Sequence, residues 1–120
     1  MKVLEITIAC THTIEMIQFY EGLFGFTFKT IQFPKGEIYE ATLKEIKLTL
    51  CPASIAGISA SENRHQLTYQ VSDIKNCIHR VELLGGNIIS ELQETNQYLM
   101  IAIRDVDGNS IILKELFNKH

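Results

Sequence analysis

Residues 66–86 read QLTYQVSDIKNCIHRVELLGG, and within this stretch a strand pattern passes directly into a helix pattern. Gln66, Thr68 and Gln70 alternate with Leu67, Tyr69 and Val71, the period of two expected of a half-buried strand. Ser72 and Asp73 are cap residues for a helix expected to run through Leu84, and Gly85 and Gly86 stop it. The same order occurs 61 positions earlier, in EITIACTHTIEMIQFYEGLFG at 5–25. Leu4, Ile6, Ile8 and Cys10 alternate there with Glu5, Thr7 and Ala9, Thr11 or Thr13 is the expected helix cap, and Gly25 is the stop. One shift aligns Ile6 with Leu67, Ile8 with Tyr69, Cys10 with Val71, Ile17 with Ile78, Leu23 with Leu84 and Gly25 with Gly86. Strand and helix positions agreeing in a single register indicate an internal repeat.

Working outward, the first helix is followed by FTFKTIQF at 26–33, a Pro34-Lys35-Gly36 turn, IYEATL at 38–43, a tight Lys44-Glu45 connection and IKLTLC at 46–51. The second is followed by NIISELQ at 87–93, YLMIAIR at 98–104, an Asp107-Gly108 turn and NSIILKEL at 109–116. Residues 53–64 are small and polar without a clear period and read as a connection. The sequence thus predicts an α+β fold of two tandem βαβββ modules in one domain spanning 1–120, with module 1 at about 1–52, the connection at about 53–64 and module 2 at about 65–120.

A chain of 120 residues that is 46% hydrophobic can bury a core without staples. Cys10, Cys51 and Cys77 form no CxxC pair, and such isolated thiols fit a reducing compartment. The amino terminus alternates where a secretory signal needs an unbroken apolar run, and no run approaches the roughly 20 residues of a membrane span. A cytoplasmic location is expected, with neither secretion nor membrane insertion. Net charge is -3 and the basic residues are scattered, so no nucleic-acid footprint is present and a small molecule or a protein is the more natural partner.

The stretch CTHTIEMIQFYEGLFGF at 10–26 resembles the first helix of vicinal-oxygen-chelate proteins, the superfamily of glyoxalases, bleomycin-resistance proteins and extradiol dioxygenases. VSDIKNCIHRVELLGGNI at 71–88 resembles their second helix, and RDVDGNSIILKE at 104–115 resembles their terminal Asp-Pro-Asp-Gly-Asn hairpin, with Val106 in place of proline. The resemblance implies mixed sheets that curl so that polar strand faces line a shared cleft, and it implies a homodimer. It also implies four metal-ligand positions, which fall on Glu5, Lys47, Gln66 and Ile112.

Glu5 and Gln66 each offer an oxygen to a divalent ion, whereas Lys47 carries only donors and Ile112 has no ligand atom. No metal or other cofactor is therefore expected, a divalent ion being the alternative. An ion pair between Lys47 and Glu5 on neighbouring strands is expected instead. Strand parity keeps His65 out of the cleft unless the register slips. His12 reads as a capping or surface residue, His79 as solvent-facing and His120 as part of a fraying end. Cys10 and Cys77 read as core, and Cys51 as a packed residue bordering the polar face. Asp105 and Asp107 read as a turn rather than an acid–base pair. The remaining cleft-face candidates are Thr7, Thr49, Thr68, Gln70 and Lys114, joined by Tyr39, Tyr98 and Met100 from strands whose facing is less definite.

Three functions compete. The first is a metal-free protein that binds a polar or anionic organic molecule, similar to the bleomycin-resistance branch. The second is a lyase, isomerase or dioxygenase with an unusual or metal-free site around Glu5, Lys47 and Gln66, in which Glu5 is the candidate base and Lys47 its electrostatic partner. The third is a regulatory or structural module whose cleft is filled by its own side chains.

Overall fold

The computed structural model describes residues 4–43, 46–56 and 66–117. The chain divides into two compact units, Met1–Ser61 and Glu62–His120.

In the first unit, β1 (Glu5–Cys10) leads into α1 (Thr13–Phe24), followed by β2 (Lys29–Phe33), β3 (Gly36–Leu43), β4 (Ile46–Pro52) and the one-turn helix α2 (Ala53–Ala56). The sheet order is β1-β4-β3-β2, with β1 parallel to β4 and the other pairs antiparallel. α1 buries Met16, Phe19, Tyr20 and Leu23 over the apolar sheet face that holds Leu48, Leu50 and Ala41. Each of the buried Met, Phe and Leu side chains contributes about 1.5–3 kcal/mol through lost water contact. Neither Thr11 nor Thr13 caps α1: His12 occupies the N-cap position without a side-chain cap bond. Gly25 ends the helix at φ 75°, and its N–H donates to the Glu21 carbonyl.

Two expectations are corrected here. The strand expected from residue 26 begins only at Lys29. Phe26 stacks with Phe24 at 5.4 Å between centroids, and the Phe28 N–H donates to Glu21 Oε2 at 3.2 Å, so helix contacts draw this stretch out of the ladder. Residues 53–56, read as connection, form α2, whose Ile55 lies so close to Gly36 that a Cβ there would come within 2.9 Å of its Cδ1.

The second unit repeats the plan with β5 (Leu67–Gln70), α3 (Ile74–Val81), β6 (Asn87–Ile88), β7 (Gln93–Glu94), β8 (Tyr98–Arg104) and β9 (Ser110–Leu116). Its order is β5-β9-β8-β6, with β7 also on β8 and β5 parallel to β9. α3 buries Ile74, Cys77 and Val81 over the face of Ile101, Ile103, Ile111 and Leu113. Asp73 caps it by accepting from Asn76 N–H, and Glu115 Oε1 accepts from Ile74 N–H at 2.8 Å. The regular helix ends at Val81 rather than Leu84, with the Gly86 N–H closing on the Val81 carbonyl.

The strand expected at 87–93 is split into β6 and β7. Ser90 causes the break: its Oγ accepts from Ala102 N–H at 2.9 Å, so a side chain replaces a main-chain carbonyl in the ladder. Together the units form a mixed α+β fold with two open mixed sheets of four and five strands. Among the described residues no helix is long and apolar enough to cross a membrane.

Candidate functional site

Strand register decides what each polar face carries. In the first unit Glu5 lies beside Lys47, Thr7 beside Thr49, and Thr49 beside Glu40 on the other flank. Thr49 is 1% exposed, and its hydroxyl donates to Glu5 Oε2 at 2.5 Å; Thr7 Oγ1 lies 3.5 Å from the same oxygen. Lys47 Nζ lies 3.6 Å from Glu40 Oε2. The expected Glu5–Lys47 pair therefore does not form, although the two residues are cross-strand neighbours. Glu5 answers the buried Thr49 hydroxyl, and the long Lys47 side chain reaches across to β3.

Sequence reading missed Glu40. The signal was available in the short spacing between IYEATL and IKLTLC: pairing Leu43 with Ile46 places Thr42 opposite Lys47 and Glu40 opposite Thr49. The same register corrects Tyr39, which lies beside Leu50 on the helix-side face, where its hydroxyl donates to Glu37 Oε1 at 3.1 Å. Cys51 shares the parity of Thr49 and is 6% exposed, while Cys10 and Cys77 are buried in the cores.

In the second unit the open face carries Thr68 beside Ile112 and Gln70 beside Lys114. β8 adds Met100 opposite Lys114 and Tyr98 opposite Leu116, so both residues share this face. Lys114 Nζ sits 4.3 Å from the Tyr98 ring centroid, within cation–π range. Gln66 Nε2 donates to Ser110 Oγ at 2.7 Å. Thr7 and Thr68 are equivalent by the repeat, so their partners Thr49 and Ile112 are equivalent as well. By the same count Lys47 matches Ser110, so Lys47 and Ile112 are not corresponding positions in the two modules.

Asp105 is 2% exposed and serves the turn: Oδ1 accepts from the N–H groups of Asp107 and Asn109 at 3.0 and 2.9 Å, and Oδ2 from Asn109 Nδ2 at 2.9 Å. His65 and His120 lie outside the described residues, and His79 is exposed on α3.

The divalent ion implied by the fold family does not fit the described residues. Glu5 is engaged by hydroxyl donors, an ammonium-bearing side chain neighbours it on β4, Gln66 is bonded to Ser110, and Ile112 has no donor atom. Among the described residues no three His, Cys, Asp or Glu side chains gather into a metal-holding group.

The family itself follows from the whole pattern. The chain belongs to the Glyoxalase/Bleomycin resistance protein/Dioxygenase superfamily, whose model matches residues 2–113. Similar solved structures include a glyoxalase-related enzyme from Fulvimarina pelagi, at 18% identity over 95% of this chain and 87% of that one, with a TM-score of 0.75. Lactoylglutathione lyase from Agrobacterium tumefaciens is 17% identical over 95% and 92% of the two chains, with a TM-score of 0.69. TnmS3, an antibiotic binding protein from Streptomyces sp. CB03234, is 17% identical over 98% and 97%, also at 0.69. At such identities the likeness shows the fold alone. A search of curated proteins finds no match.

Proposed function

We propose that this protein binds a small polar or anionic organic molecule without metal chemistry, as a bleomycin-resistance-like member of its superfamily. The observation that carries the reading is the state of Glu5: the carboxylate at a family ligand position accepts the hydroxyl of buried Thr49. Lys47 and Ile112 offer no ligand atom, and among the described residues no three His, Cys, Asp or Glu side chains gather, which favours binding over the lyase, isomerase and dioxygenase reactions that depend on a resident ion. The binding groups are Glu5, Thr7, Lys47 and Thr49 in the first unit, and Gln66, Thr68, Gln70, Ile112 and Lys114 in the second. The homodimer implied by the family belongs to the same proposal.

The test joins two measurements on purified protein. It is incubated separately with nickel, cobalt, zinc, manganese and iron(II), desalted and analysed for metal; it is also screened by thermal shift against a panel of polar and anionic organic compounds. Saturable stabilisation by an organic compound with no retained ion is the expected result. About one ion per chain, lost in both Glu5→Ala and Gln66→Ala, would overturn the reading.

A further inference from the structure

The two polar faces differ in charge. The first unit's face holds the carboxylates Glu5 and Glu40 together with Lys47, and Lys47 is paired with Glu40 there. On the second unit's open face, Lys114 and Arg104 share the parity of Ile112, through the pairs Met100–Lys114, Ala102–Ile112 and Arg104–Ser110. The acids of these strands lie on the opposite parity: Glu94 pairs with Leu99, and Glu115 faces α3, where it accepts the Ile74 N–H. Among the described strand residues, no carboxylate shares the face of Lys114 and Arg104.

Lys114 is flanked by Gln70 on β5 and has apolar neighbours on β8 and β9. Met100, Ala102 and Ile112 are half-buried and lie in adjacent cross-strand rows, and the Tyr98 ring lies under the ammonium. A cation held over an aromatic ring keeps its charge available to an anion, while a thioether and a ring favour a flat, polarisable neighbour. From this juxtaposition we infer that the open face of module 2 recognises a planar aromatic carboxylate, with Lys114 receiving the carboxylate and Tyr98, Met100 and Ile112 contacting the ring. This rests on the binding function proposed above and names the ligand class within it.

The experiment is calorimetric titration of the full chain with naphthoate, naphthalenemethanol and cyclohexanecarboxylate. Naphthoate is expected to bind about tenfold or more tightly than the alcohol, the range in which a charge-assisted hydrogen bond discriminates, and also more tightly than cyclohexanecarboxylate, which keeps the charge but has no flat ring. Lys114→Met removes the preference over the alcohol and Lys114→Arg keeps it. Lys75→Met, which deletes a charge from exposed α3, leaves it unchanged; circular dichroism confirms that each variant is folded. Absence of naphthoate binding, or a preference that survives Lys114→Met, overturns the inference. If naphthoate fails while another compound of the panel binds, the proposed function stands and only this ligand class falls.

Discussion

Thr49 and Glu5 make a bond whose two ends differ in exposure, and that difference sets the effect of cutting it. Glu5→Ala strands the hydroxyl of Thr49, a residue only 1% exposed, and should cost about 1–2 kcal/mol. Thr49→Val releases an exposed carboxylate that water can solvate, so its cost should stay below about 1 kcal/mol. Urea unfolding of both single variants and the double variant checks this: Glu5→Ala should cost little in the Thr49→Val background, and an unchanged cost would show that the bond carries no stability. Tyr69 supplies a pH prediction. Burial, and then the negative charge of Asp105, push its phenol from 10.0 up to about 12. The neutral form is thus favoured by folding. Its contribution, at most about 3 kcal/mol, is complete below the unfolded value and is lost as pH rises through 10 towards 12. Tyrosinate absorbance should show a late step that Tyr69→Phe removes; uniform titration near 10.0 would contradict it.

The second hairpin depends on Asp105 at the scale of an element. One buried carboxylate holds two backbone N–H groups and an amide across the turn between β8 and β9. Asp105→Ala leaves those donors unpaired and should lower stability by about 3 kcal/mol, seen as a fall in the urea midpoint. Lys47→Met, which breaks a partly exposed ion pair, should change it by less than about 1 kcal/mol. A smaller loss for Asp105→Ala than for Lys47→Met would remove the organising role of the turn. Most elements were legible from period and stop signals, because a strand or helix shows itself over a few neighbouring residues. The exceptions mark where side chains override propensity: Ser90 splits a strand by bonding Ala102, and Glu21 holds Phe28 out of another.

At the scale of the whole molecule, the repeat prescribes two sheets with the same strand order, and both have it, β1-β4-β3-β2 and β5-β9-β8-β6. The proposed homodimer predicts a light-scattering mass of twice the 13.6 kDa chain; a mass of one chain at micromolar concentration would remove the dimer from the proposal. The sequence by itself determined the paired modules and the polar parity of Glu5, Thr7, Lys47 and Thr49, since each is carried by residue type and local alternation. Only the tertiary structure decided the partners. Lys47 goes to Glu40 rather than Glu5, Gln66 to Ser110, and Glu115 to the start of α3. Cross-strand register and helix docking bring together residues distant in sequence, and a buried hydroxyl or an open helix end takes whichever acceptor that geometry places within reach.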